Sequence, residues 1–178
     1  MITKTRATMA DYRKLPEGAK YELVDGEIIE KENPDMPGPI IKRQALSSRL
    51  VIGLGRHIAE NGLGLLLHAP ADVYFDEENA FQPDLLFIAE ARVETLGRED
   101  GLYGAPDLVI EILSPSTAYY DLKSKFQIYE KYGVREYFIV DPKDDEVTGY
   151  RSEGGTFNQF FRERGRLRSA LLDCEISF

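Results

Sequence analysis

Asp107-Leu-Val-Ile-Glu-Ile-Leu113 sets one carboxylate, Glu111, inside an almost unbroken apolar run. A run this apolar and rich in β-branched residues suits a central strand covered on both faces. An ionised carboxylate in such a strand costs several kcal/mol unless it is paired or metal-bound. The sequence therefore implies a partner for Glu111. The same reasoning extends outward to Asp84 in Gln82-Pro-Asp-Leu-Leu-Phe-Ile88, and more weakly to Glu22 in Tyr21-Glu-Leu-Val24. Strands distant in sequence can converge in space, so these acids are candidates for a single site.

The neighbouring segments read as alternating strands and helices. Thr8 to Leu15 reads as a short helix capped by Thr8 and stopped by Pro16. Tyr21–Val24 and Glu27–Glu30 flank Asp25-Gly26, a two-residue hairpin signal. Pro34, Pro37 and Pro39 mark a loop, and Ile41, Ala45, Leu46, Leu50, Leu54 and Ile58 give an amphipathic helix from Ile40 to about Glu60. Leu65–Phe75 reads as a strand bent near Pro70, and Asp84–Ile88 as a short strand after Pro83. After the Leu108–Leu113 strand, Ser114-Pro-Ser-Thr117 reads as a turn and helix cap. A helix follows from Asp121 to Tyr132, closed by Gly133. Glu136–Val140 is a further strand, and Val147–Arg151 with Thr156–Phe161 form a hairpin around Gly154-Gly155. The order predicts an α/β fold, a mixed sheet flanked by helices with a hairpin near each end. A length of 178 residues fits one domain spanning 1–178.

Composition excludes several classes. The net charge of −9 argues against a protein held on nucleic acid by a global positive field. The single cysteine, Cys174, rules out a disulfide framework and a cysteine-built zinc site. Two histidines, His57 and His68, leave little for a histidine-rich metal site, and neither has a partner at ligand spacing; both read as structural or exposed. The 31 Asp and Glu residues leave a hard-cation site of carboxylates open. The N-terminal stretch has no apolar core of a secretory signal, and no segment approaches the roughly 20 apolar residues that span a bilayer. The expectation is a soluble cytoplasmic protein with no membrane partner. No phosphate-cradling GxxxxGK[ST] and no GxSxG occurs.

Lys125 admits two readings. Asp121 and Lys125 stand at i and i+4, the spacing of a helix-surface ion pair. Alternatively, its ammonium lies beside a metal-bound water or a phosphate developing charge. A second Pro-Asp, at Pro106-Asp107, is a poor co-ligand for Glu111. Four residues of one strand separate them by about 13 Å, whereas two carboxylates on one Mg²⁺ each bring an oxygen to about 2.1 Å. Asp107 is expected at the strand edge, in a supporting role.

Gln82-Pro-Asp84, Val109-Ile-Glu-Ile-Leu-Ser-Pro-Ser-Thr117, Asp121…Lys125…Tyr129 and Gly133-Val-Arg-Glu-Tyr-Phe-Ile-Val-Asp-Pro142, together with Tyr21-Glu-Leu-Val-Asp-Gly-Glu27, resemble the Uma-two family of the PD-(D/E)XK nuclease superfamily. The resemblance runs in order from about Tyr21 to Asp141. It implies a restriction-endonuclease-like fold and Mg²⁺-dependent hydrolysis of DNA phosphodiesters, with Mn²⁺ as a substitute. Carried over by position, Asp84 and Glu111 are metal ligands, Glu22 an additional acid on the metal, and Lys125 the motif lysine. Residues i and i+2 share a strand face. The superfamily's usual lysine position is therefore Leu113 here, and Lys125 must reach in from the following helix. Family analogy also makes a homodimer an expectation.

Charge is uneven along the chain. Residues 72–107 carry ten acids against Arg92 and Arg98, while Ile40–His57 carries Lys42, Arg43, Arg49 and Arg56 and no acid. Lys42, Arg49 and Arg56 are seven apart and form one stripe of the predicted helix, either a solvated face or a phosphate-contacting nucleic-acid surface. Arg162, Arg164, Arg166 and Arg168 form a second cluster open to the same two readings. Two further readings stand beside the nuclease. One is a nuclease-like fold that binds or dimerises without cleaving, and the other is a metal-dependent enzyme acting on a different phosphate ester.

Overall fold

The computed structural model describes residues 6–16, 20–31, 40–114, 118 and 122–178. Two six-stranded sheets carry the fold. The first strands are β1 (Tyr21–Val24) and β2 (Glu27–Glu30), an antiparallel hairpin whose register pairs Val24 with Glu27 and Tyr21 with Glu30. Its turn is Asp25-Gly26, with φ of 50° and 73°, the left-handed pair that a two-residue hairpin turn requires. Short helix α1 (Met9–Tyr12) precedes the hairpin, and the Asp11 carboxylate accepts from both the N–H and the hydroxyl of Thr8. The proline-marked loop of residues 34–39 and the Pro-Ser-Thr117 cap lie outside the described residues.

Helix α2 (Ile40–Asn61) follows, then β3 (Gly64–His68), β4 (Val73–Asp76), β5 (Asn79–Phe81) and β6 (Leu85–Ala89). Next come α3 (Glu90–Leu96), β7 (Gly97–Arg98), β8 (Gly101–Tyr103), β9 (Leu108–Ile112) and α4 (Ser124–Tyr132). The chain ends with β10 (Glu136–Asp141), β11 (Glu146–Glu153), β12 (Thr156–Arg164), β13 (Arg166–Ser169) and β14 (Cys174–Ser177). The first sheet runs β2-β1-β5-β4-β8-β7 and the second β12-β11-β10-β9-β6-β3, with β13-β14 as a separate ribbon. The second sheet is mixed, because β9 pairs parallel with β10 and antiparallel with β6.

Strand β9 is central and wholly buried, as its composition requires. Its period of two sorts the residues to two faces. Leu108, Ile110 and Ile112 pack with Leu46, Leu50, Leu54 and Ile58 of α2. Val109 faces the opposite core with Ile128 and Tyr129 of α4, and Leu113 packs against that same core. Glu111, between Val109 and Leu113 in this alternation, therefore looks toward α4. Hydrophobic burial of these two faces is the main force holding the layers together.

Two expectations change, and a third falls partly outside the described residues. Leu65–Phe75 is not one bent strand. The chain turns at Ala69-Pro70, and Pro70 cannot donate to a ladder; β3 joins the second sheet while β4 joins the first. Ile41 and Ala45 do not belong to the buried stripe of α2: both are exposed, Ile41 at 86%. Ala45 is turned by about 100° from its neighbour Leu46, which leaves the core to the i+4 series of leucines and Ile58. Helix α4 is described from Ser124, and the proposed partner Asp121 lies outside the described residues. Among the described residues, no helix is long and apolar enough to cross a membrane.

Candidate active site

The Gln82-Pro-Asp84 segment joins β5 of the first sheet to β6 of the second and stitches acids from both. The Gln82 N–H donates to Glu22 Oε1 of β1 at 2.8 Å. Two residues on, the Asp84 N–H points to Glu111 Oε2 of β9 at 3.4 Å, and the Ile112 N–H donates to Asp84 Oδ2 at 2.8 Å. Pro83 between them has no N–H to satisfy. The three acids named from sequence thus meet where the two sheets join, with Glu22 and Glu111 each 1% exposed.

Their counter-charges come from three separate elements. Lys125 of α4, wholly buried, donates to Glu22 at 2.7 Å (Oε2) and 2.9 Å (Oε1) and to Glu111 Oε1 at 3.0 Å. The surface ion-pair reading of Lys125 fails, because the helix turns this face into the core. One turn later, the Tyr129 hydroxyl donates to Glu111 Oε1 at 2.7 Å. Burial, then the charge of Glu111, push the Tyr129 phenol well above its ordinary pKa, so it remains a donor. Phe75, Phe81 and Tyr137 pack edge-on around the Tyr129 ring and fix it.

Asp84 is held from the other side. The Arg43 Nη2 of α2 donates to both Asp84 oxygens, at 2.8 and 2.9 Å, while its Nε donates to the Ile112 carbonyl at 3.1 Å. Lys31, just after β2, lies 3.3 Å from Asp84 Oδ1 and donates to the Gln82 carbonyl. Burial alone would raise the Asp84 pKa; Lys31, Arg43 and the Ile112 N–H overcome it and hold the carboxyl at about 2. Burial likewise opposes the charge on Lys31, but Asp84, Glu22 and Glu111 outweigh it and raise its pKa. Among the described residues, the cluster thus sets three carboxylates against three cations. Beside it opens a cavity of about 270 Å³ whose lining includes Lys20, Lys31, Arg43, Ser47, His68 and Asp84.

Among the described residues, no group of three or more His, Cys, Asp or Glu side chains is arranged to hold a metal ion. Glu22 is engaged by Lys125 and by the Gln82 N–H. The oxygens that converge on a single positive group are instead the Asp84 carboxylate and the Ile112 carbonyl, both on the Arg43 guanidinium. Carboxylate and carbonyl oxygens are the donors that hard divalent cations take.

A family model described as "Uma2: Putative restriction endonuclease" matches residues 9–174. The chain belongs to the Uma2 family. The uncharacterized protein sll1609 of Synechocystis is 29% identical over 154 residues, covering 83% of this chain and 81% of that protein. A crystal structure from Anabaena variabilis, described as "a putative nuclease belonging to DUF820", superposes with a TM-score of 0.74. It is 21% identical, and the match covers 96% of this chain and 94% of the other. The Uma2 chain thus shares its nuclease-like fold with that protein.

Other residues named from sequence lie elsewhere. Lys42 pairs with Asp145 at 3.3 Å and donates to the Lys143 carbonyl, Arg56 pairs with Glu60 at 2.8 Å, and Arg49 is exposed. Arg162, Arg164, Arg166 and Arg168 are matched by Glu146, Asp144, Glu163 and Glu175. Asp107 is buried and supports the strand edge, accepting from the Ala89 N–H and pairing with Arg92. The His57 ring contacts the Leu172 carbonyl at 2.9 Å, and the exposed ring of His68 reaches the Ala69 carbonyl at the cavity rim. Lys31 and Arg43 are not singled out by the sequence as members of the cluster, and Tyr129 stands there only as part of the family motif. The acid-free start of α2 was the available signal for Arg43.

Proposed function

We propose that this Uma2 protein is a divalent-cation-dependent endonuclease that hydrolyses DNA phosphodiesters, with Mg²⁺ as the ion and Mn²⁺ able to replace it. The observation that carries this reading is the contact of Asp84 with Glu111 at the sheet junction, beside a buried lysine and a cation-lined cavity. The donor set fits a hard ion: Asp84 and Glu111 would hold it, joined by the Ile112 carbonyl. Bound there, the ion would supply Lewis-acid polarisation of the phosphoryl oxygens and a more acidic water. Lys125 bridges Glu22 and Glu111 and orients both. Glu22 acts through Lys125 and the Gln82 N–H, and Tyr129 fixes the Glu111 carboxylate by its hydroxyl. Lys20, Lys31 and His68 on the cavity wall bind and orient the phosphodiester, and Lys31 and Lys125 stabilise charge that develops on it. Lys42, Arg49 and Arg56 on the outer face of α2 supply salt-sensitive contacts to the duplex backbone. The reaction is expected in the cytoplasm and from a homodimer.

Plasmid nicking with Mg²⁺ or Mn²⁺ tests the reading. The wild type should convert supercoiled to open-circular or linear DNA, and Glu111→Ala should abolish conversion. Cleavage that persists in Glu111→Ala would overturn the assignment. The full pairing of Asp84, Glu111 and Glu22 by protein cations favours one other reading, a fold that binds without cleaving, which requires no divalent ion to bind at Asp84.

A further inference from the structure

We propose that Arg43 is a displaceable counterion: its guanidinium occupies the cation seat formed by Asp84 and the Ile112 carbonyl, and it gives way when a divalent ion enters. This role presupposes the cleavage reading above. Arg43 spans both oxygen donors of the seat, Nη2 on the two Asp84 oxygens and Nε on the Ile112 carbonyl. A divalent ion on those oxygens would lie beside the guanidinium in a poorly solvated place, where two like charges at close range repel strongly.

Charge balance gives the second ground. Among the described residues, Glu22, Asp84 and Glu111 face Lys31, Arg43 and Lys125, so a divalent ion adds two positive charges to a place that already holds three cations. Such an excess is costly unless a resident cation departs. The three cations differ in their freedom to do so. Lys125 is 0% and Lys31 7% exposed at the side chain, against 17% for Arg43. Lys125 bridges two acids away from the cavity; Lys31 and Arg43 both line it, and Arg43 is the more exposed of the two. Released from Asp84, the guanidinium has that cavity to enter, and its planar fork matches two oxygens of a phosphodiester there. Arg43 then changes partner from carboxylate to substrate as the ion binds.

Calorimetric Mn²⁺ titration of the full chain tests this, with Asp84→Asn as the reference that removes the site and leaves ions on the acidic surface. Arg43→Gln should bind the Asp84-dependent ion about tenfold or more tightly than the wild type, because no charged hydrogen bond to Asp84 has to be broken first. Equal or weaker binding in Arg43→Gln, with clear binding in the wild type, would overturn the counterion role and leave the nuclease reading standing. No Asp84-dependent binding in either protein would remove both. Should Arg43→Gln fail to fold, the Arg43 Nε–H resonance of wild-type protein decides. It should move toward the position of a solvent-exposed arginine on Mg²⁺ saturation, and a resonance unchanged at saturation would overturn the proposal.

Discussion

Two buried carboxylate sites in this protein are built in opposite ways. Glu136 of β10, 1% exposed, accepts from the Ser169 hydroxyl at 2.6 Å and from the Ala170 and Leu171 N–H groups at 3.1 and 3.0 Å. Arg151, at the rim, adds a contact at 3.3 Å. One acid there is satisfied chiefly by neutral donors, and it fastens β10 to the turn between β13 and β14. At the sheet junction, three acids crowd together and, among the described residues, face three cations, two of them lysines almost wholly buried. A structural carboxylate needs only hydrogen bonds. Concentrating like charges and then importing counter-charges from α2, α4 and the β2 end gains nothing for stability that an apolar packing would not give. The junction is therefore the place to look for chemistry.

That contrast can be broken at several points. Lys125→Met removes the buried ammonium that bridges Glu22 and Glu111 and should cost about 3–5 kcal/mol in urea unfolding at neutral pH. A loss below about 1 kcal/mol would mean that the Lys125 bridge contributes no more than a surface ion pair. Glu136→Ala should cost about 3 kcal/mol, since it strands the Ser169 hydroxyl and two N–H groups, while Asp84-dependent Mn²⁺ binding stays as in the wild type. A change in ion binding there would erase the distinction between the two sites. The third prediction is a pH slope. Asp84 sits at about 2 in the folded chain and near 3.9 when unfolded, so its stabilising contribution is complete above about pH 5 and is lost as pH falls toward 2. Asp84→Asn should lack that part of the acid slope, as measured by unfolding between pH 2 and 6. The smallest effect is expected at the surface: Arg168→Ala, whose side chain is 53% exposed beside Glu175, should change stability by less than about 1 kcal/mol.

The parts of the fold governed by local rules were legible in the sequence. Asp25-Gly26 set both the β1–β2 turn and its register, and the apolar run around Glu111 announced a central strand. The implied partner of Glu111 was also legible, because a buried charge cannot go without one. What could not be read was which group answers it. Lys31 and Arg43 reach Asp84 across 53 and 41 residues, and no spacing rule connects α2 to the β5–β6 junction. The bend at Pro70 was legible, but the parting of the two strands into different sheets was not, for a related reason. Strand propensity continues on both sides of it, and only the closing of two separate sheets shows that β3 and β4 part company. Lys125 looked like half of a surface pair because helical spacing states which residues are neighbours, not which face is buried.

The central claim is that Asp84 and Glu111 are brought together to hold a divalent cation. Crystals soaked in Mn²⁺ test it directly through the anomalous signal of the metal. The account predicts a peak within coordinating distance of both carboxylates, with the Arg43 guanidinium withdrawn from Asp84. Saturating Mn²⁺ with no peak at the junction, and Arg43 still seated on Asp84, would contradict it.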